Sequence, residues 1–245
     1  MNETIKLLTS HRSIRKYREK AIEEEKVSLI IEAAQSASTS SFIQAYTILR
    51  IEDREKRNKI AELAGNQIYI QECPLFLVFC ADLNRHKMAC EMHGTEMAEG
   101  YTESFITATV DAALAAQNAM IAAESVGLGG VYIGGIRNNP EEICRLLNIP
   151  VNVYPVFGMC LGYPDDNPDK KLRLPADIVF KKDEYATEGD LERLGKYDAE
   201  LKDYYLDRTK GMRADTWTDM MARHMSTVQR PHMKGFLEKH GFKMK

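Results

Sequence analysis

Between Phe105 and Val126 the chain reads FITATVDAALAAQNAMIAAESV, about six helical turns at 3.6 residues per turn. Apolar or small side chains cover most of the circumference, so such a helix has to be buried nearly all round. It belongs in the middle of a molecule or inside a large subunit interface, and Gly127 closes it. Asp111, Gln117 and Asn118 interrupt the apolar surface. Unpaired buried polar groups cost about 1–3 kcal/mol each, so these three are read as structural groups with partners elsewhere.

The remaining periodicities surround this rod with helices and buried strands. Acids at Glu23–Glu25 open a helix with Val27, Ile30, Ile31 and Ala34 on one face, and it ends in the hydroxyl cluster Ser38-Thr39-Ser40-Ser41. A strand is expected from Tyr46 to Ile51, then a helix from Arg54 to Ala64 stopped by Gly65. Leu75 to Ala81 (LFLVFCA) reads as a strand covered on both faces. Val131-Tyr132-Ile133 is a short strand followed by a tight turn at Gly134-Gly135. Asn139 as N-cap and Pro140 at the first helical position open a helix through Leu147, and Tyr154 to Leu161 is another buried strand. The tail differs: Asp190 to Arg208 carries Leu191, Leu194, Tyr197, Leu201 and Tyr204 on one side, followed by helices at Trp217–Met225 and Met233–His240. This mixture predicts an α+β fold with a helical C-terminal extension, and a charged helical tail of that length suits wrapping around a partner subunit.

The 245 residues hold 33 Lys+Arg against 36 Asp+Glu, so there is no global field for nucleic acid. The start has neither a long apolar stretch nor a small-residue cleavage site, and the run at Leu75 to Ala81 is too short to cross a bilayer. Five cysteines without a C-x-x-C spacing fit a reducing cytoplasm. No G-K-[ST], G-x-S-x-G or H-E-x-x-H occurs. Gly127 to Gly135 is glycine-rich, but its spacing is not that of a dinucleotide fingerprint, and it ends a helix and precedes a strand, the reverse of what that fingerprint needs. His86, Cys90 and His93 share one face of a possible helix, yet no fourth zinc ligand stands near them in the sequence.

Three stretches favour anions: His11-Arg12-Ser13-Ile14-Arg15, Ser38–Ser41, and Lys171 with Arg173. Guanidinium groups match phosphate oxygens in pairs and keep their charge. From the residues alone, a phosphate clamp and a solvated basic surface stay about equally open.

HRSIRKY, SASTSSFIQAYTILRI, LAGNQ, FCADLNRH, DAALAAQNAMIAAESVGLGGVYIGGIRNNP, FGMCLGYP and RLP, with YY-x₂-R and DTW in the tail, follow one another in register. The series resembles the oxygen-insensitive NADPH nitroreductase and NADPH flavin oxidoreductase group of the nitroreductase superfamily, over nearly the whole chain. The resemblance implies a single FMN-dependent nitroreductase-like domain over residues 1–245, with 180–245 as a helical extension. It implies a central mixed sheet flanked by helices and a long buried helix at a homodimer interface. It implies FMN bound by His11, Arg12, Ser13, Arg15, Gln67, Tyr132, Ile133, Gly134, Gly135, Lys171 and Arg173, with Ser38, Thr39, Ser40, Ser41 and Gln44 supplied by the partner subunit. Arg208 and Arg213 are similar to arginines that hold the 2′-phosphate of NADPH, with NADH as a second possible reductant. Two places depart from the pattern: Leu172 stands where a K-P-R has proline, and Lys87 to Ser104 matches no motif.

The activity the resemblance implies is ping-pong electron transfer from NADPH through FMN to nitro-aromatics, quinones or free flavin. The flavin carries the chemistry, so no catalytic side chain is required, and Arg15 serves as an electrostatic stabiliser of charge developing on the ring. Two alternatives stand beside it: a flavin reductase, which uses the same residues to supply reduced FMN to a partner monooxygenase, and a non-enzymatic flavin-binding protein, against which the arginines of the tail speak. Neither nucleic acid nor membrane is an expected partner.

Overall fold

The computed structural model describes all residues, Met1–Lys245. In chain order the elements are α1 (Glu3–Ser10), α2 (Glu24–Gln35), β1 (Tyr46–Arg50), α3 (Arg54–Leu63), α4 (Tyr69–Glu72), β2 (Leu75–Asp82), α5 (Asn84–Met92), α6 (Thr102–Ser125), β3 (Gly129–Ile133), α7 (Pro140–Leu147), β4 (Val153–Gly162), α8 (Ala176–Val179), α9 (Asp190–Arg208), α10 (Trp217–Met225) and α11 (Met233–Lys239). The strands order as β1-β2-β4-β3. All neighbouring pairs within the chain are antiparallel, which corrects the expected mixed sheet. The reason is geometric. β2 and β3 run the same way, as a connection through one long return helix requires, and β4 inserts between them running the other way.

β2 is buried along its whole length, so its alternating side chains feed two cores. Leu75, Leu77, Phe79 and Ala81 face α6 and α2, while Phe76, Val78 and Cys80 face Ile60 and Ala61 of α3 and Ile143 of α7. A run of alanines on α6 (Ala108, Ala112, Ala115, Ala116, Ala119, Ala123) lies within the first core. The expectation of burial nearly all round needs correcting here: Ile106, Val110 and Leu114 form an exposed stripe on α6, because no element of this chain covers that side. Asn139 also departs from its expected role. Its side chain donates to the Leu63 carbonyl at 2.8 Å instead of capping α7.

The chain divides into two compact units, Met1–Asp169 with Arg230–Lys245, and Lys170–Gln229. The last helix therefore does not travel with the rest of the tail. Phe236, Leu237 and Phe242 are buried in the core of the first unit, where the Phe242 ring stands edge-on to Tyr154 at 5.1 Å. The second unit has its own small core of Tyr197, Leu201 and Tyr205, with Leu174, Trp217 and Met220 against it. α9 and α10 are joined by Asp198, which accepts the Thr218 N–H at 3.0 Å.

Candidate functional site

After α1 the chain turns at His11 and runs as an extra edge beside β3, with the Ile14 N–H donating to the Gly130 carbonyl at 2.9 Å. Tyr17 pairs with Pro164 beyond β4. Glycine is needed for this approach, since a Cβ on Gly129 would stand 2.5 Å from Ile14 Cγ1. The Tyr17 hydroxyl donates to Ile14 O at 2.7 Å, and burial pushes its phenol well above the ordinary range. With the backbone of 11–17 fixed this way, its side chains separate. His11 Nδ1 lies 2.6 Å from Glu124 Oε1 near the end of α6. Arg12 is held by the Asn167 side chain and by the Pro168 carbonyl at 3.3 Å. Ser13 is half-buried, and Arg15 is exposed and makes no ion pair.

Gln67 and the 132–135 stretch join the same region. Tyr69 donates to Gln67 Oε1 at 2.8 Å while Gln67 Nε2 donates to the Ala64 carbonyl at 3.0 Å, so the carboxamide is fixed at both ends. A Cβ on Gly135 would meet Ala64 O at 2.4 Å and Gln67 Nε2 at 2.7 Å, which packs the turn at Gly134–Asn138 directly on the Gln67 loop. Gly134 has room instead: its nearest neighbour in that direction is Arg137 Nη2 at 3.4 Å. Tyr132 donates to Gln117 of α6 at 3.2 Å, and Ile133 is buried. The backbone of His11–Arg15 thus runs beside β3, while Gln67 packs on the turn at Gly135 that follows the strand.

The hydroxyl run lies elsewhere on the same helix. Asp111, fully buried, accepts the Ser40 N–H at Oδ1 and the Ala45 N–H at Oδ2, each at 3.0 Å. Between these anchors Ser41, Phe42 and Gln44 all take positive φ, a conformation side chains other than glycine adopt rarely. Asp111 and Glu124 are about 20 Å apart along α6 at 1.5 Å rise per residue. One chain therefore does not bring Ser38, Thr39, Ser40, Ser41 or Gln44 to the arginines after α1. His86, considered as a metal ligand, has its Nε2 2.7 Å from the Ile43 carbonyl, and no cluster of three metal-ligating side chains forms.

In the second unit, Lys171, Leu172 and Arg173 line a cavity of about 480 Å³ with Tyr197, Leu201, Tyr205, Trp217 and Met220. The Arg213 guanidinium stacks on the outer part of this group, 4.0 Å from the Tyr205 ring centre. Arg208 Nη1 donates to the Tyr204 hydroxyl at 2.9 Å. Lys171, Arg173 and Arg213 are therefore arranged about Tyr205. Three partners escaped the sequence reading: Glu124 for His11, Asn167 for Arg12, and Asp215, whose carboxylate takes Arg213 Nε and also Arg223 Nη2 at 2.9 Å. Only Asp215 left a local signal, as an acid two residues beyond Arg213; the other two lie more than a hundred positions from their partners.

The donors of the first unit, two guanidiniums, a hydroxyl and a fixed carboxamide beside open glycine backbone, suit a phosphorylated ligand with a flat, hydrogen-bonding ring. Residues 8–163 match the nitroreductase family and residues 171–245 the nitroreductase family, C-terminal domain. The chain is 44% identical over 242 residues to the oxygen-insensitive NADPH nitroreductase of Salmonella typhimurium, covering 99% of both chains. It is 41% identical to the FMN reductase (NADPH) of Bacillus subtilis, again over 99% of each. Its structure is similar to that of B. megaterium NfrA1, with a TM-score of 0.96, 47% identity and coverage of 99% and 100%. It is similar also to the NADPH:FMN oxidoreductase from Vibrio harveyi complexed with NAD+, at 0.91 and 39% over 100% of both chains. Over nearly its whole length, the chain belongs to the nitroreductase family.

Proposed function

We propose that this chain is an FMN-dependent NAD(P)H oxidoreductase that passes electrons from NADPH to nitro-aromatics, quinones or free flavin by a ping-pong sequence. The observation that carries the reading is the run of His11–Arg15 beside β3, with Gln67 packed on the Gly135 turn that follows the strand. Bound FMN supplies hydride acceptance and electron release. The chain supplies placement and charge. Arg15, exposed and without an acidic partner, is available to stabilise negative charge on a ring, and Arg12 and Ser13 suit a phosphate. Gln67, tied at both ends, offers a carboxamide of fixed direction. Arg12 must share its guanidinium between Asn167 and any phosphate, so its phosphate contact is the weaker part of this assignment.

The molecule acts as a homodimer in this reading. The exposed Ile106, Val110 and Leu114 stripe gives a second copy an apolar face, and that copy brings the Ser38–Ser41 and Gln44 run that one chain holds away from its own arginines. In the second unit Lys171, Arg173, Arg208 and Arg213 supply cations suited to phosphate, the last two to the 2′-phosphate of NADPH. Asp215 pairs with Arg213, so a phosphate there has to share that guanidinium with the carboxylate. Five free cysteines suit the reducing cytoplasm.

Purified protein is expected to be yellow and to oxidise NADPH faster than NADH in the presence of a nitrofuran, a quinone or free FMN. A colourless protein that takes up no added FMN overturns the reading. The FMN reductase and flavin oxidoreductase names among the relatives keep flavin reduction as the rival emphasis, and turnover with free FMN against the nitrofuran decides between them.

A further inference from the structure

The run Asp82-Leu83-Asn84-Arg85-His86 has no part in the proposed electron transfer, yet two of its side chains reach the arm of the hydroxyl loop. β2 ends at Asp82, which is buried and accepts the Asn84 N–H at 2.8 Å, so the chain turns there into α5. Arg85 and His86 stand in the first turn of that helix. Arg85 Nη1 donates to the Asp82 carboxylate at 3.2 Å and to the Thr47 hydroxyl at 2.7 Å, and its Nη2 donates to the Tyr46 carbonyl. His86 Nε2 lies 2.7 Å from the Ile43 carbonyl. A carbonyl only accepts, so Nε2 carries the proton and donates. The Nδ1 of the same ring is buried without a partner, so the side chain is committed to that one backbone oxygen.

Asp111 grips the same loop through the Ser40 and Ala45 N–H groups. The two grips are complementary: a carboxylate takes the loop's donors, while a guanidinium and an imidazole take its acceptors. Between them Ser41, Phe42 and Gln44 sit at φ of 48°, 60° and 54°. Backbone of this kind persists in residues other than glycine only where the surroundings dictate it, and it gathers at ligand clamps. The side chains carried on it do not pack into the core. Ser40, Ser41 and Gln44 are exposed, and Phe42 is 84% exposed. Ser40, Ser41 and His86 border a cavity of about 440 Å³ together with Tyr101, Glu103 and Ser104. A strained loop held by both its donors and its acceptors is thus shaped for what it presents outward.

We propose that Arg85 and His86 are positioning residues of the cofactor site: through the carbonyls of Tyr46 and Ile43 they hold Ser40–Gln44 in the conformation that meets FMN bound by a second copy of the chain. The proposal rests on the shared-site reading given above. Neither side chain touches the cofactor, and neither takes part in hydride transfer. Their contribution is preorganisation, because a loop already in its binding conformation does not have to be ordered when the ligand arrives. A released loop offers the same hydroxyls for only part of the time, and the apparent affinity falls by that fraction.

Hydrogen–deuterium exchange on the full-length protein without cofactor reads the clamp directly. Peptides covering the 40–45 loop are expected to exchange about ten-fold faster in His86→Ala and Arg85→Met than in wild type, with peptides from α6 unchanged. FMN titration reads the site, and both variants are expected to bind about ten-fold more weakly, as a loop competent for a tenth of the time requires. His86→Gln returns an amide donor and is expected to recover most of the affinity. The His86 side chain makes one hydrogen bond, so His86→Ala is expected to fold and carries the test even if Arg85→Met does not. Wild-type FMN affinity in a folded His86→Ala overturns the proposal, whatever its urea midpoint, because a merely structural histidine would leave binding intact. Unchanged exchange of the loop overturns it too. A wild type that takes up no FMN overturns the function reading and this proposal with it, whereas a loss confined to the variants upholds both.

Discussion

Asp111 gives both carboxylate oxygens to backbone N–H groups of the 40–45 loop and has no contact with solvent. Without it, two donors lose their acceptor next to three side chains at positive φ. Asp111→Ala is therefore expected to lower stability by about 1–3 kcal/mol, read from urea unfolding, because the abandoned buried Ala45 N–H costs about that much while the Ser40 N–H lies nearer solvent. Unchanged stability would mean the loop holds its shape unaided. The need for a partner was legible, since a carboxylate inside an apolar helix has to be paired; the partners were not, because they lie 66 and 71 residues away. Glu23 is the surface counterpart. The Tyr163 hydroxyl, its own backbone N–H and Lys20 pull its carboxyl down to about 2 from an ordinary 4.5. A depressed carboxyl contributes stability that is fully present above the unfolded value and lost as pH falls through the folded one. The stability difference between wild type and Glu23→Gln should then shrink from pH 4.5 towards about 2 in denaturant titrations, and a difference independent of pH would remove this ion cluster from the acid response.

At the scale of elements, α6 and β2 could be read because their patterns are long and uniform, and their ends moved by no more than three residues. The pairing could not be read. Strand order depends on which edge is free when the chain returns, and the irregular register between Phe79 and Cys80 leaves no trace in residue type. The Gly134-Gly135 turn shows the same limit. Two glycines announced a close approach of backbone to something, yet their surroundings differ: Gly134 has space, while Gly135 lies on the Ala64 carbonyl. Gly135→Ala places a methyl 2.4 Å from that oxygen, which belongs to backbone and has no side-chain freedom to yield. Overpacking of this kind costs about 1–3 kcal/mol, so a lowered urea midpoint is expected for Gly135→Ala and a smaller change for Gly134→Ala. Equal effects at both positions would show that backbone freedom, and not the approach to Ala64, decides the turn.

For the whole molecule, the long apolar helix has two sides with different fates. Alanines on one side lie in the core with β2, while Ile106, Val110 and Leu114 stand 48%, 48% and 42% exposed. A contiguous apolar stripe on a helix that also carries the anchor of the hydroxyl loop argues for a second copy across it, because an apolar face of that kind is stabilised by burial. A symmetric pair is the usual solution, since one self-complementary patch then serves both chains. The hydroxyl run and the arginine segment are about 20 Å apart on one α6, so cofactor binding and association should be lost together if the proposed site is shared. Leu114→Asp puts a charge on an exposed position of the single chain, where it is not expected to disturb the fold. Light scattering should report about twice the 27.8 kDa chain mass for wild type and the single mass for Leu114→Asp, with FMN lost from the variant. A folded Leu114→Asp monomer that keeps its flavin would show that one chain holds the cofactor alone, and the hydroxyl run would then need another purpose.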